Sequence, residues 1–297
     1  MNKLSNDPIV HVDLPNWETV PDRAQAAQWV NALKQGMVLF FMLLSFDLIP
    51  GELELLDPSL SDPKRKNISY NPATGQVSGT VANADQQRAM AAMLKRYHEH
   101  TLLLVENLLP HYKGKLRIAN TSLRLGNVAE RKMSWRKDDT RLHVDAFPSR
   151  PNYGERILRV FNNINPHGVP RVWRVGEPFT DMAKRFLPNI DRPLPGSAWL
   201  MQQLHLTKSL RSEYDHIMLK LHDAMKADLH YQAHSPQIQF EFPPGSTWMC
   251  FSDQASHAAM AGQFMLEQTF HIAVADMQRP ETAPLSILQK LTGRELV

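Results

Sequence analysis

Asp138-Asp139-Thr140-Arg141-Leu142-His143-Val144-Asp145 sets a histidine and an aspartate two residues apart in a run that reads as extended strand. On a strand, side chains at that spacing face the same side, so His143 and Asp145 can grip one ion together. A second histidine, His257, stands far along the chain, just after the strand-like run from Trp248 to Phe251. A jelly roll folds such distant strands against each other. Two histidines and one carboxylate on one face leave three coordination positions open, which is the requirement of a non-haem Fe(II) oxygenase: two positions for a chelating cosubstrate and one for dioxygen.

The motif is short, and each residue also has a packing role open to it. His143 suits a hydrogen-bonded core, Asp145 a turn ahead of Pro148, and His257 a surface position at a strand end. A 2-oxoglutarate enzyme must in addition hold the far carboxylate of its cosubstrate, normally through an Arg or Lys. In many such enzymes that cation follows the distal histidine by about ten residues, but Gly262 to Phe270 offers only Gln263, Glu267, Gln268 and Thr269. The strand after the His-x-Asp turn, Gly154-Glu155-Arg156-Ile157-Leu158-Arg159, supplies two cations instead. Arg156 is the first choice, because a Gly-x-basic start resembles the arrangement in JmjC-type oxygenases. Arg159 faces the opposite way on a regular strand, so only one of the two is the ligand.

Outward from this centre, the chain after Leu116 is dominated by short strand-like runs punctuated by Pro151, Gly154, Pro166, Gly168, Pro170, Gly176 and Pro178, the pattern of an antiparallel sandwich or barrel. Strands are expected at Gln237 to Phe242, Trp248 to Phe251 and Phe264 to Val274. Trp199 to Tyr231 lacks Gly and Pro and reads as a helical insertion. Before Leu116, Asp22 to Gln35 predicts a helix closed by Gly36, Val38 to Leu44 a strand, and Asn67 to Gly79 a hairpin. Gln86 to Leu109 predicts a long helix with an apolar stripe. The fold class is α+β, a double-stranded β-helix (jelly-roll, cupin-like) core with flanking helices. One oxygenase domain spans 1–297: a mixed 1–115 part packs on the core 116–280, 199–231 is inserted, and 281–297 is a C-terminal extension.

Composition supports a packed soluble chain. Of 297 residues, 43% are apolar and 21% charged, which excludes disordered and fibrous classes. The net charge of +3 is too small to indicate nucleic acid. A single cysteine, Cys250, permits no internal disulfide and suits a reducing cytoplasm. Met1 to Leu14 lacks the basic start and apolar centre of a signal peptide, and Met37 to Pro50 is too short and too interrupted to span a membrane.

The stretch from Arg124 to Glu177 resembles the Kdo hydroxylase family, Kdo being 3-deoxy-D-manno-oct-2-ulosonic acid. The resemblance rests on Ser134 to Asp139, Leu142 to Pro151, Arg156 to Phe161, Asn163 to Pro166 and Arg171 to Pro178. A second block, Ser252 to Ala259 with Gly262-Gln263 and Glu267 to Phe270, fits the same family, and weaker similarity in Asn67 to Tyr70 and Leu108 to Pro110 extends it towards the N-terminus. It implies Fe(II) on His143, Asp145 and His257, with 2-oxoglutarate and dioxygen consumed, and hydroxylation at carbon 3 of Kdo attached to lipid A in the lipopolysaccharide inner core. Such a substrate is anionic. Basic residues crowd the motif at Arg131, Arg136, Lys137, Arg141, Arg150, Arg171 and Arg174; Arg136, Arg141 and Arg150 are the substrate-binding candidates, with Asn163 as a hydrogen-bonding partner. Asn163 and Asn165 equally suit the turn before Pro166. The location implied is cytoplasmic, with a peripheral contact at the cytoplasmic face of the inner membrane left open through Val38 to Leu44 and Lys64 to Lys66. Two other readings share the motif. A JmjC-like hydroxylase of protein side chains predicts an extended peptide groove, and a non-redox cupin-like metal-binding domain predicts no dependence on 2-oxoglutarate.

Overall fold

The computed structural model describes residues 7–130 and 133–297. Their strands are β1 (Ile9–His11), β2 (Val38–Phe41), β3 (Ile68–Asn71), β4 (Gln76–Ser78), β5 (Arg117–Arg124), β6 (Arg156–Asn163), β7 (Arg171–Gly176), β8 (Gln237–Phe242), β9 (Thr247–Phe251), β10 (His257–Ala261) and β11 (Met265–Ile272). The helices are α1 (Arg23–Lys34), α2 (Ala84–Leu108), α3 (Phe179–Phe186), α4 (Ser197–Gln203), α5 (Glu213–Ala227), α6 (Leu229–His234) and α7 (Pro284–Thr292). The architecture is mixed α and β.

Strands β2, β9 and β11 are buried at every residue, which requires cover on both faces of the sheet that holds them. That sheet has eight strands in the order β1-β2-β9-β6-β11-β5-β3-β4, and a second has three in the order β10-β7-β8. One face of the large sheet packs on the small sheet through Phe40, Phe161, Trp248 and Met265 against Trp173, Val175 and Phe242. The other face carries α1 and α2, whose Trp29, Leu33, Met90, Met93, Leu94, Tyr97 and Leu104 meet Leu158, Val160, Phe251 and Leu266. Each such side chain contributes about 1.5–3 kcal/mol by leaving water, before the entropy of ordering the chain is set against it. A third core joins α3, α5 and α7 around Phe179, Tyr214, Leu221 and Leu288.

Local chemistry explains the element ends. Asp22 caps α1, and Gly36 follows it with φ 86°. Asn83 and Gln86 form a reciprocal capping box that starts α2, and Pro110 follows its end. The hairpin expected over Asn67 to Gly79 is β3–β4. Three expectations need correction. Strand β2 stops at Phe41, with Met42 and Leu43 exposed. The helical stretch 199–231 is broken between α4 and α5 and again at Asp228, which caps α6. The His-x-Asp run is not a regular strand either: His143 makes one isolated bridge, to His257. Its neighbour Leu142 has both backbone groups taken by the Gln232 side chain, at 2.7 and 3.0 Å, so no ladder continues there.

Candidate metal centre and its cavity

Leu142 and Val144 are fully buried in the helical core, and their alternation with His143 and Asp145 turns the latter pair the other way, into a cavity. Backbone bonds run both ways between His143 and His257, at 3.0 and 2.9 Å, and Asp145 N–H donates to the Ser252 carbonyl at 2.8 Å. The clasp sets the two imidazole centroids 4.7 Å apart. His143 Nδ1 meets the Arg141 carbonyl and His257 Nδ1 the Ala255 carbonyl, each at 2.8 Å. A carbonyl only accepts, so each Nδ1 carries the proton and each Nε2 keeps a lone pair. His143 Nε2 lies 3.8 Å from Asp145 Oδ1. The ligand atoms of His143, Asp145 and His257 all lie within 4.8 Å of one another, the one such group among the described residues.

Protonation favours metal binding as well. Burial holds both histidines below their ordinary pKa, and for His143 the neighbouring His257 adds to this. Burial opposes ionisation of Asp145, but the Arg159 guanidinium beside it outweighs this, so its carboxyl stays well below the usual range. Two neutral imidazoles and one carboxylate are the donor set that a divalent iron takes, with positions left over. The residues therefore fit the ion.

The cavity has a volume of about 1030 Å³. Sheet register supplies its walls. Phe161 pairs with Glu267 and Arg159 with Thr269 across β6 and β11, and Arg124 pairs with Met265 across β5 and β11, so these side chains share one face. Opposite them, Trp173 stacks on His257 at 5.0 Å, and Arg171 lies two residues earlier on the same face of β7. Arg159 reaches Asp145 Oδ2 at 3.2 Å and Glu267 at 3.1 Å. Arg124 holds the other oxygen of Glu267, and Asp139 pairs with Lys66 at 2.5 Å. Nine of the lining residues are cationic and five acidic, so the cavity suits an anionic occupant.

A model of the 3-deoxy-D-manno-oct-2-ulosonic acid (Kdo) hydroxylase family matches residues 16–295. The chain belongs to the Kdo hydroxylase family. It is 46% identical to the Kdo hydroxylase KdoO, described as a non-heme Fe(II) alphaketoglutarate dependent dioxygenase, over 98% of this chain and 97% of that one. The TM-score is 0.95 for apo KdoO, and 0.94 for KdoO with alphaketoglutarate and Fe(III) and for KdoO with succinate and Fe(III). No curated protein matches the chain.

Within this family member, the residues singled out from the sequence separate into two groups. His143, Asp145, His257, Arg136, Lys137, Arg159 and Arg171 line the cavity. Arg136 does so at the rim, stacked on Trp135 and 3.2 Å from Asp223. The first choice for the cosubstrate cation, Arg156, does not. It is fully buried on the other face of β6, pairs with Asp253 at 2.7 Å, donates to Gln254 at 2.6 Å and lies over the Phe251 ring. The three-residue offset from Arg159 sends it there. Arg141 also turns away from the cavity, pairing with Asp138 at 3.3 Å and donating to the Lys226 carbonyl. Arg150 is exposed outside the lining. Asn163 donates to the Val169 and Phe242 carbonyls and accepts from Asn165 N–H, the turn role that was its alternative. Arg174 is tied to Thr140 and Gln237, and Arg131 lies outside the described residues.

Sequence reasoning missed Glu267, Arg124, Asp139, Lys226 and His222 in the lining. Glu267 had a signal, for it stands ten residues after His257, where the cation of many 2-oxoglutarate enzymes was sought. Here a carboxylate fills that place and gathers Arg124 and Arg159 around itself.

Proposed function

We propose that this chain is an Fe(II)- and 2-oxoglutarate-dependent dioxygenase that hydroxylates carbon 3 of Kdo in Kdo-lipid A. The observation that carries the reading is the group His143, Asp145 and His257, with both Nε2 lone pairs and an ionised carboxylate turned into a cation-rich cavity. Membership of the Kdo hydroxylase family supports the sugar. When bound, iron with dioxygen and 2-oxoglutarate supplies the oxidising power, releasing succinate and carbon dioxide.

The protein's own side chains do the rest. Arg159 holds Asp145 Oδ2 and so aims Oδ1 at the ion. Arg171 lies two residues before Trp173 on the same strand face and lines the same cavity as His143, Asp145 and His257, with a guanidinium that suits the far carboxylate of a diacid. We assign the cosubstrate's distal carboxylate to Arg171, with Arg159 bordering the same subsite. Gly262 makes room for this: its φ is 112°, and a Cβ there would stand 2.8 Å from Arg171 Cδ. Phe161, Trp173 and Met265 wall the inner end with apolar surface that excludes water. At the mouth, Arg136, Lys137 and Lys64 to Lys66 offer cations to the sugar acid. A cation-rich cavity of this size favours an acidic sugar over the extended groove that a peptide hydroxylase needs.

The β2-β9-β6-β11 strands facing β10-β7-β8 support a double-stranded β-helix core. One continuous domain is supported by the large sheet, which takes strands from both ends of the chain. No helix among the described residues is long and apolar enough to cross a membrane, and a peripheral position at the cytoplasmic face of the inner membrane fits a substrate anchored there.

The test is succinate formation from 2-oxoglutarate with added Fe(II), with and without Kdo-lipid A. Lipid-stimulated turnover is expected, and Asp145→Ala is expected to abolish it, with circular dichroism checking that the variant remains folded despite the loss of the Arg159 pair. Full activity in Asp145→Ala refutes the ligand assignment.

A further inference from the structure

Residues 192–211 bear a dense apolar surface that nothing among the described residues covers. Leu194, Trp199, Leu200, Leu204, Leu206 and Leu210 are each 48–77% exposed, and α4, which holds two of them, buries none of its residues. Single exposed leucines are ordinary, but six in so short a segment mark a contact surface. The same segment carries Arg192, Lys208 and Arg211 and no carboxylate. Exposed Trp and Leu interleaved with cations are what an anionic lipid interface binds, apolar tips entering the acyl boundary and cations staying at the headgroups.

Its position relates it to the active cavity. Lys208 N–H donates to the Ser149 carbonyl at 2.9 Å and Arg211 to the Pro148 carbonyl at 2.5 Å, and Pro148 lines the cavity beside Phe147 and Asp145. The apolar strap is thus laced to the cavity's edge. We propose that residues 192–211 form the surface by which the protein docks on an anionic bilayer, presenting its cavity to a sugar whose lipid stays in the membrane. The proposal deepens the Kdo-lipid A reading and rests on it for the purpose of docking, though not for the docking itself. A seven-residue helix is marginal alone in water, and insertion of its apolar side chains would stabilise it.

The experiment is cosedimentation of the full Fe(II)-loaded chain with vesicles of phosphatidylethanolamine and phosphatidylglycerol, and with phosphatidylcholine vesicles. Binding to the anionic vesicles is expected, weakened by salt and by Arg192→Gln with Lys208→Gln. The triple variant Trp199→Ser, Leu204→Ser, Leu206→Ser is expected to lose vesicle affinity about tenfold or more. It should keep the wild-type melting temperature and its turnover on a dissolved, deacylated Kdo fragment. Wild-type vesicle affinity in the triple variant overturns the proposal. So does a wild-type dimer that the triple variant dissociates, which would make this a self-association face. Vesicle binding needs no substrate, so failure of the Kdo reading would register separately, as absent stimulation of succinate formation.

Discussion

Arg156 donates through Nε to Asp253 at 2.7 Å, with its guanidinium 3.9 Å from the Phe251 ring centre and no solvent exposure. Removing one member of such a pair leaves the other charge buried and alone, at a cost of about 3–5 kcal/mol. Burial already pushes the Asp253 carboxyl up, so proton uptake would soften that cost. Arg156→Met should therefore lower stability by about 3 kcal/mol in urea unfolding and leave KM for 2-oxoglutarate unchanged. Arg171→Gln should do the opposite, raising KM for 2-oxoglutarate about tenfold or more, as expected for a lost charge-assisted bond of about 1.5–3 kcal/mol, with a smaller shift in the urea midpoint. An unchanged KM in Arg171→Gln sinks that assignment. From the sequence, Arg156 and Arg159 could be told to face opposite ways. Which face held the cavity depended on the partner strands.

At the scale of elements, the proposed metal ligands are held by a clasp instead of a ladder. Helix α6 brings Gln232, whose amide satisfies both backbone groups of Leu142 and also donates to the Met225 carbonyl at 2.8 Å. Gln232→Leu would leave a buried N–H and C=O unpaired, costing about 1–3 kcal/mol each, and would loosen the run that carries His143 and Asp145. Co(II) titration should show weaker metal binding in this variant with the ligands intact; equal affinity would mean that the His143–His257 bridge suffices. Helix α2 was legible to within two residues, because its capping signals and apolar stripe are local. The extended run around His143 was misread as a regular strand, because its partner groups come from residues 90 or more positions away.

For the whole molecule, β11 carries a buried titration site at its far end. His271 has its pKa lowered to about 4, first by burial and then by the Arg117 charge. Unfolded, it titrates near 6.5. The folded chain keeps His271 neutral, so stability is full above pH about 6.5 and falls as the pH drops towards 4, by about 3 kcal/mol at most. Comparing urea midpoints of wild type and His271→Asn between pH 8 and 4.5 should show a shallower loss in the variant; parallel curves would remove His271 as the source. By itself the amino-acid sequence determined the mixed α and β composition, the long helix, the hairpin and the three candidate metal ligands, because periodicity, caps and a His-x-Asp spacing are short-range patterns. Only the tertiary structure decided which cations line the cavity, why Glu267 stands where a cation was sought, and that Arg141 and Asn163 bond to the scaffold. Those outcomes depend on strand register and on which long side chains meet across the sheets, and neither is encoded at any local spacing.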